Sequence, residues 1–112
     1  MASRIPDEWK ARVCQVLRTG DERKIRTTLT VRNDWASTFP DAWLYSLYGD
    51  LDDALSAPDI QGERKEMNEH GETYAFFFHH DEIRLYGKVN LLPDGKVIII
   101  YSAHKPRFGE RL

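Results

Sequence analysis

A second cysteine is missing from this sequence, in which Cys14 is the only one among 112 residues. A disulfide within the chain is therefore excluded, and Cys14, which lies among apolar residues at helical spacing, is predicted to be a small buried residue. The sequence also lacks an apolar run long enough to cross a bilayer, and it lacks a hydrophobic signal segment near its start. These absences predict a cytoplasmic protein without membrane association.

Acidic and basic residues are unevenly distributed, although the formal net charge is only -2. Residues 41–82 contain eleven acidic side chains and two basic ones, whereas residues 84–112 contain six basic and two acidic. The first forty residues contain eight basic and five acidic. This asymmetry favours a basic face for an anionic ligand and an acidic face for a basic partner, although two solvated surfaces would have the same composition.

The length is close to the commonest size of a domain, and a hydrophobic content of 41% is enough for one core. Residues 1–112 are therefore predicted to form a single domain. Near the start, apolar residues such as Trp9 recur at helical spacing between Pro6 and Gly20. Because proline suits a first helical turn and glycine suits a helix end, a helix is predicted over residues 6–19.

The middle of the chain has a less regular pattern. Residues 25–32 alternate and predict a half-buried strand. Its buried side would carry Ile25, Thr27, Leu29 and Val31. A short helix is predicted over residues 42–48 with Gly49 at its end, followed by a further helical turn or two around 52–56. Residues 59–72 have few large apolar side chains and predict a flexible loop.

The C-terminal half predicts three strands in succession. Residues 73–80 are rich in aromatic side chains and suit a strand buried on both faces, whereas residues 83–92 alternate between apolar and polar. The turn at 93–95, Pro-Asp-Gly, is typical of a hairpin that returns through residues 96–104. The predicted fold class is α+β, with an N-terminal helix and short helices packed on an antiparallel β-sheet that ends in a C-terminal β-meander.

A three-residue turn after Leu92 sets the predicted register of this hairpin. The opposed pairs would be Asn90–Ile98, Lys88–Ile100, Tyr86–Ser102 and Arg84–His104. Because opposed residues share a face, one face would carry the polar side chains Arg84, Tyr86, Lys88, Asn90, Ser102 and His104. The other face would carry Ile83, Leu85, Val89, Leu91, Val97, Ile99 and Tyr101 against the helices.

This polar face has the residue types that cleave RNA without a metal ion. The reaction needs a base for the 2′-hydroxyl proton, an acid for the departing 5′-oxygen, and positive charge beside the phosphate. The predicted catalytic residues are His104, Lys88, Tyr86 and Arg84. The predicted substrate-binding residues are Arg107, Lys105, Ser102, Asn90 and His79. The pattern is not specific, because a half-exposed sheet face in any small domain carries similar side chains.

No metal site and no cofactor is predicted. His79 and His80 are neighbours on a strand, so their side chains point to opposite faces and cannot both bind one ion without a bulge. The remaining candidate ligands are scattered, since His70 lies in the predicted loop and Cys14 lies in the first helix.

Residues 85–104 carry a pattern that resembles a known family. They contain a strand of the form Leu-Tyr-x-Lys, a tight turn, and a β-branched strand. This order resembles the RelE-like bacterial ribonuclease toxins, and most closely the motility quorum-sensing regulator type of mRNA interferase. The resemblance implies that Tyr86 and Lys88 lie in the sheet that supports the active site, that RNA is the substrate, and that a cognate antitoxin is a partner. Those toxins are usually strongly basic, whereas this chain is slightly acidic.

The sequence leaves three possibilities from different classes open. The first is a metal-independent endoribonuclease of the bacterial toxin type, acting on RNA phosphodiester bonds. The second is a non-catalytic binding module of the immunity, antitoxin or inhibitor kind, in which the acidic middle of the chain masks a basic protein partner. An accessory domain without chemistry of its own is a third. The sequence therefore leaves undecided whether the chain is an enzyme.

Overall fold

The computed structural model describes residues 2–110. This part of the chain contains the helices α1 (Asp7–Thr19), α2 (Leu29–Thr38) and α3 (Leu44–Leu55). Its strands are β1 (Ser3–Arg4), β2 (Ile25–Thr27), β3 (Gln61–Lys65), β4 (Glu72–His80), β5 (Ile83–Leu91) and β6 (Ile98–His104). They form one sheet in the order β1-β3-β4-β5-β6-β2, in which β2 runs parallel to β6 and the other neighbours are antiparallel. The predicted α+β fold class is confirmed.

Helix α1 matches the predicted helix to within one residue. Its first turn carries two acidic residues, which interact favourably with the positive end of the helix dipole. Gly20 ends the helix in the left-handed conformation, with φ at 60°, and its N–H donates to the carbonyl of Leu17. Cys14 is buried on the inner side, as predicted. Burial, together with the nearby Asp52, raises the pKa of the Cys14 thiol to about 11.

The strand predicted over residues 25–32 is wrong beyond Thr27. Thr28 caps a helix instead, because its Oγ1 accepts a hydrogen bond from the N–H of Val31 at 3.1 Å. Val31 is fully buried, whereas Leu29 is 73% exposed, so the two side chains do not share the side on which the alternation placed them. A threonine that can cap a helix also suits a strand, and local alternation did not distinguish the two.

Two further predictions in the middle of the chain need correction. Helix α3 runs through Gly49 without a break, since Gly49 lies on the exposed side of the helix. The segment predicted as a flexible loop, residues 59–72, contains strand β3, which pairs with β1 on one side and β4 on the other. Gly62 is buried in that strand, and a Cβ there would lie 2.5 Å from the carbonyl oxygen of Ala75. The absence of a side chain at this position permits the close packing.

The helices cover one face of the sheet. Trp9 of α1 packs edge-on against Tyr74 of β4, with ring centroids 4.9 Å apart. Other side chains fully buried in this core are Leu47, Leu51, Phe76, Phe78, Leu85, Val89, Ile98 and Ile100. No helix within residues 2–110 is both long enough and apolar enough to cross a membrane.

The register of the β5–β6 hairpin differs from the predicted one. The observed pairs are Leu91–Ile98, Asn90–Ile99, Val89–Ile100, Lys88–Ser102, Gly87–Ala103 and Tyr86–His104. Pairing is therefore shifted by one position near the turn and by two positions beyond it, because Tyr101 is an extra residue in a β-bulge. Because the bulge adds a second shift of one position, the side chains beyond it face the side that the sequence predicted. Ser102 and His104 consequently share a face with Tyr86, as predicted, but with different partners.

On the opposite side of this hairpin, the prediction for β6 is wrong. Ile98 and Ile100 pack against the helices, where the sequence placed Val97, Ile99 and Tyr101. A turn is present at residues 93–95, as predicted: Gly95 adopts a positive φ of 70°, and its N–H donates to the carbonyl of Leu92. The turn is one residue longer than predicted, because the N–H of Leu92 donates to the carbonyl of Val97 at 3.0 Å, whereas the prediction paired Leu92 with Lys96. The register error near the turn therefore arose from the length of the turn.

Candidate functional site on the open face of the sheet

The sheet face opposite the helices carries most of the predicted site residues, and we call it the open face. Its central side chains are Phe77 and His79 of β4, Arg84, Tyr86 and Lys88 of β5, and Ser102 and His104 of β6. Two segments border this face: residues 66–71, which lead from β3 into β4, and residues 105–110, which follow β6. We call the second of these the tail.

Tyr86 and His104 lie opposite each other on neighbouring strands. Their rings are stacked, with centroids 5.7 Å apart and planes at 28°. Each is largely buried, at 5% and 6% exposure. Burial, and then the negative charges of Glu110 and Glu63, raise the pKa of the Tyr86 phenol. The phenol is therefore protonated at neutral pH and can act as a hydrogen-bond donor.

The His104 ring is held by the backbone of the tail. Its Nδ1 lies 2.7 Å from the carbonyl oxygen of Lys105, so Nδ1 carries the proton and donates. The other nitrogen, Nε2, lies 3.6 Å from Oε2 of Glu110. Nε2 is therefore the nitrogen that remains for a ligand or a transferred proton.

Two basic residues stand beside this pair. The Arg84 guanidinium lies over the ring of Phe77, with Cζ 3.7 Å from the ring centroid, and Arg84 is directly opposite His79. Lys88 is half-buried between Ala75 and Ser102. A cation stacked on an aromatic ring is held in place while its N–H groups stay available for an anion. Phe77 was not predicted as part of this surface, because the aromatic run in β4 suggested burial on both faces.

Asn90 lies on this face, but the structure does not place it where a ligand would reach it. It is fully buried. Its Oδ1 accepts a hydrogen bond from the Thr73 hydroxyl at 3.0 Å, and its Nδ2 donates to the carbonyl of His70 at 3.1 Å. Asn90 therefore holds residues 66–71 against the sheet, in contrast to its predicted contact with substrate.

The predicted residues of the tail have separate environments. Lys105 is exposed, and its carbonyl binds His104. The Arg107 guanidinium forms an ion pair with Asp34 of α2 at 3.2 Å, so its charge is directed away from the Tyr86–His104 pair. Glu110 was not predicted, although one carboxylate oxygen accepts a hydrogen bond from the Arg107 N–H at 2.7 Å and the other faces His104. No sequence signal marks a single glutamate outside any helix or strand.

His79 and His80 point to opposite faces, as predicted. His80 is on the helix side, where Nδ1 is 2.7 Å from Oδ2 of Asp50 and the ring packs against Trp35 and Phe39. Burial raises the pKa of the Asp50 carboxyl, and the hydrogen bond with His80 opposes that shift. Within residues 2–110, no three histidine, cysteine or acidic side chains form a group that could hold a metal ion.

A cleft in the described part of the chain lies elsewhere. It has a volume of about 520 Å³ and lies between α1 and the turn of the β5–β6 hairpin, with Trp9 and Arg12 in one wall and residues 91–95 in the other. None of the predicted site residues lines it. The cleft and the predicted site residues are therefore in different parts of the molecule. The polar side chains that could perform chemistry are on the open face.

Comparisons of the chain with protein-family models, with curated proteins and with solved structures gave no match. The functional argument consequently depends on the geometry of the open face and on the chemistry of its side chains.

Proposed function

We propose that this protein is a metal-independent endoribonuclease whose active site is centred on Tyr86 and His104. The observation that carries the proposal is the stacked pair itself, a phenol and an imidazole on adjacent rigid strands with Lys88 and Arg84 beside them. A proton donor, an imidazole and two cations are what cleavage at an RNA phosphate requires.

In this mechanism the 2′-oxygen of the ribose attacks the neighbouring phosphorus while the bond to the 5′-oxygen breaks. His104 in its imidazolium form, with protons on both ring nitrogens, donates the Nε2 proton to the departing 5′-oxygen, and the 2′-hydroxyl proton passes to water at the open face. Tyr86 donates a hydrogen bond to a phosphate oxygen, since burial and nearby acidic charge keep its phenol protonated. Lys88 and Arg84 stabilise the negative charge that develops on the phosphate. The products are a 2′,3′-cyclic phosphate and a 5′-hydroxyl.

The alternative, a binding module with an acidic surface, has less support. It requires the acidic side chains of the middle segment to be available to a basic partner. Several of them are already paired within the chain, among them Asp52 with Arg18 at 3.0 Å, Asp50 with His80 at 2.7 Å and Glu63 with Lys65 at 3.3 Å. Such pairing reduces the negative charge that a partner would meet.

The test is incubation of purified protein with total RNA in EDTA. We expect the wild type to cleave RNA, and His104→Ala to lose on the order of a hundredfold or more in rate, as removal of a general acid does. Lys88→Ala should lose at least about tenfold, the effect of removing one charge from the transition state. His70→Ala changes an exposed histidine next to the same sheet face and serves as the matched control. A further variant, Glu110→Gln, neutralises the carboxylate that faces His104. If neither the wild type nor this variant cleaves RNA, the proposal is contradicted.

A further inference from the structure

The Glu110 carboxylate lies beside the Tyr86–His104 pair without any place in the proposed reaction. Its Oε2 is 3.6 Å from Nε2 of His104, and its Oε1 accepts a hydrogen bond from the Arg107 backbone N–H at 2.7 Å. The side chain is about one quarter exposed. A distance of 3.6 Å leaves no room for a substrate group between the carboxylate and the ring.

Two donors of different origin converge on this carboxylate. When both nitrogens of His104 carry protons, Nδ1 donates to the Lys105 carbonyl and Nε2 is left to donate to an anion. The second donor is a backbone N–H, which the Arg107 side chain helps to fix through its ion pair with Asp34. The same turn is closed by the N–H of Glu110, which donates to the Arg107 carbonyl at 3.0 Å.

We propose that His104 Nε2 and the Arg107 N–H form a phosphate-binding position, which the Glu110 carboxylate fills when no ligand is bound. Carboxylate and phosphate oxygens accept the same charge-assisted hydrogen bonds, so either anion suits the two donors. The ligand class is a phosphodiester or phosphate monoester. The inference depends on the proposed function only in naming RNA as the natural source of that phosphate.

The Glu110 carboxylate is next to the one His104 nitrogen that the backbone of the tail does not bind. A phosphate reaches Nε2 only after the Glu110 side chain rotates away, and that rotation does not require the backbone of Arg107 to move. The carboxylate and the phosphate therefore compete for the same donors, and Glu110 lowers the affinity of the site for phosphate.

The probe is inorganic phosphate, titrated into the intact protein while the ring signals of His104 are followed by NMR. Glu110→Gln should bind phosphate several-fold more tightly than the wild type, roughly fivefold for the loss of one partly exposed ion pair. Glu66→Gln is the matched control, because it removes the same charge from an exposed position before β4, and its affinity should equal that of the wild type. Circular dichroism would verify that all three proteins are folded.

Equal phosphate affinity in the wild type and Glu110→Gln would overturn the proposal, as would saturation that leaves the His104 signals unchanged. RNA cleavage by the same proteins separates this inference from the proposed function. Glu110→Gln could bind phosphate more tightly than the wild type while none of the proteins cleaves RNA. That result would support the phosphate-binding position and contradict the proposed ribonuclease function. RNA cleavage together with a phosphate affinity that does not depend on Glu110 would support the ribonuclease and overturn the phosphate-binding position.

Discussion

His79 and His80 are neighbours in the sequence, yet their side chains have different surroundings. His79 is exposed on the open face opposite Arg84. His80 connects three elements, because it binds Asp50 of α3 and packs against Trp35 and Phe39. The sequence predicted that the two rings lie on opposite faces, since alternation along a strand requires it. Which ring would find a partner depends on helices that are distant in the sequence, and Asp50 itself is 30 residues away, so no local pattern predicts it.

We therefore expect unequal losses of stability from the same substitution at these adjacent positions. His80→Ala should lower the free energy of unfolding by about 1–3 kcal/mol, because it leaves Asp50 half-buried without its partner and removes ring packing. His79→Ala should change it by less than about 0.5 kcal/mol, as is usual for an exposed side chain. Urea unfolding followed by circular dichroism measures both values. Equal losses would show that the Asp50–His80 contact contributes no net stability.

Glycine has contrasting roles in two elements of this fold. Gly49 lies within α3, where a Cβ would have nothing within 4 Å. Gly62 lies in β3, where a Cβ would meet the Ala75 carbonyl at 2.5 Å and Ile5 at 2.8 Å. The sequence predicted the end of a helix at the first position and a loop at the second, because glycine is usually a sign of both.

Alanine substitutions at the two positions should change the free energy of unfolding in opposite directions. Gly49→Ala should raise the free energy of unfolding by about 0.5–1 kcal/mol, the difference in helix propensity. Gly62→Ala should lower it by about 1–3 kcal/mol, because backbone atoms of β4 must shift. Thermal unfolding of the two variants beside the wild type gives the comparison. A destabilised Gly49→Ala would mean that the helix breaks where the sequence suggested.

The β-bulge at Tyr101 limits how much of the candidate site could be derived from the sequence. A predicted register that is wrong by one position would normally turn every polar side chain of β6 to the other face. The extra residue compensates for that error, so Ser102 and His104 are on the predicted face while each has a different partner. The set of residues was therefore predictable from alternation. The Tyr86–His104 stack was not, since a bulge has no signature in a run of β-branched residues.

At the scale of the whole molecule, the sheet joins segments that are distant in the sequence. Residues 25–27 pair with residues 98–100 at one edge, and residues 3–4 pair with residues 61–62 near the other. Local patterns predicted the central strands β4, β5 and β6 because these are consecutive and rich in apolar residues. They missed β3, whose sequence Gln-Gly-Glu-Arg-Lys is almost entirely polar and forms a strand only because its neighbours supply the pairing.

This arrangement predicts a gradient of hydrogen exchange across the sheet. Backbone amides of β4, β5 and β6 should exchange most slowly, since each of these strands has neighbours on both sides, β4 packs under α3 and β6 packs under α2. Residues 61–65 should exchange more slowly on average than residues 66–71, because β3 is paired with β4 whereas the segment after it lies outside the strands. Exchange monitored by mass spectrometry with peptides that divide residues 59–72 makes the comparison. If the two parts exchanged equally fast, residues 59–72 would behave as the flexible loop that their composition suggests, and the outer edge of the sheet would be formed by β4.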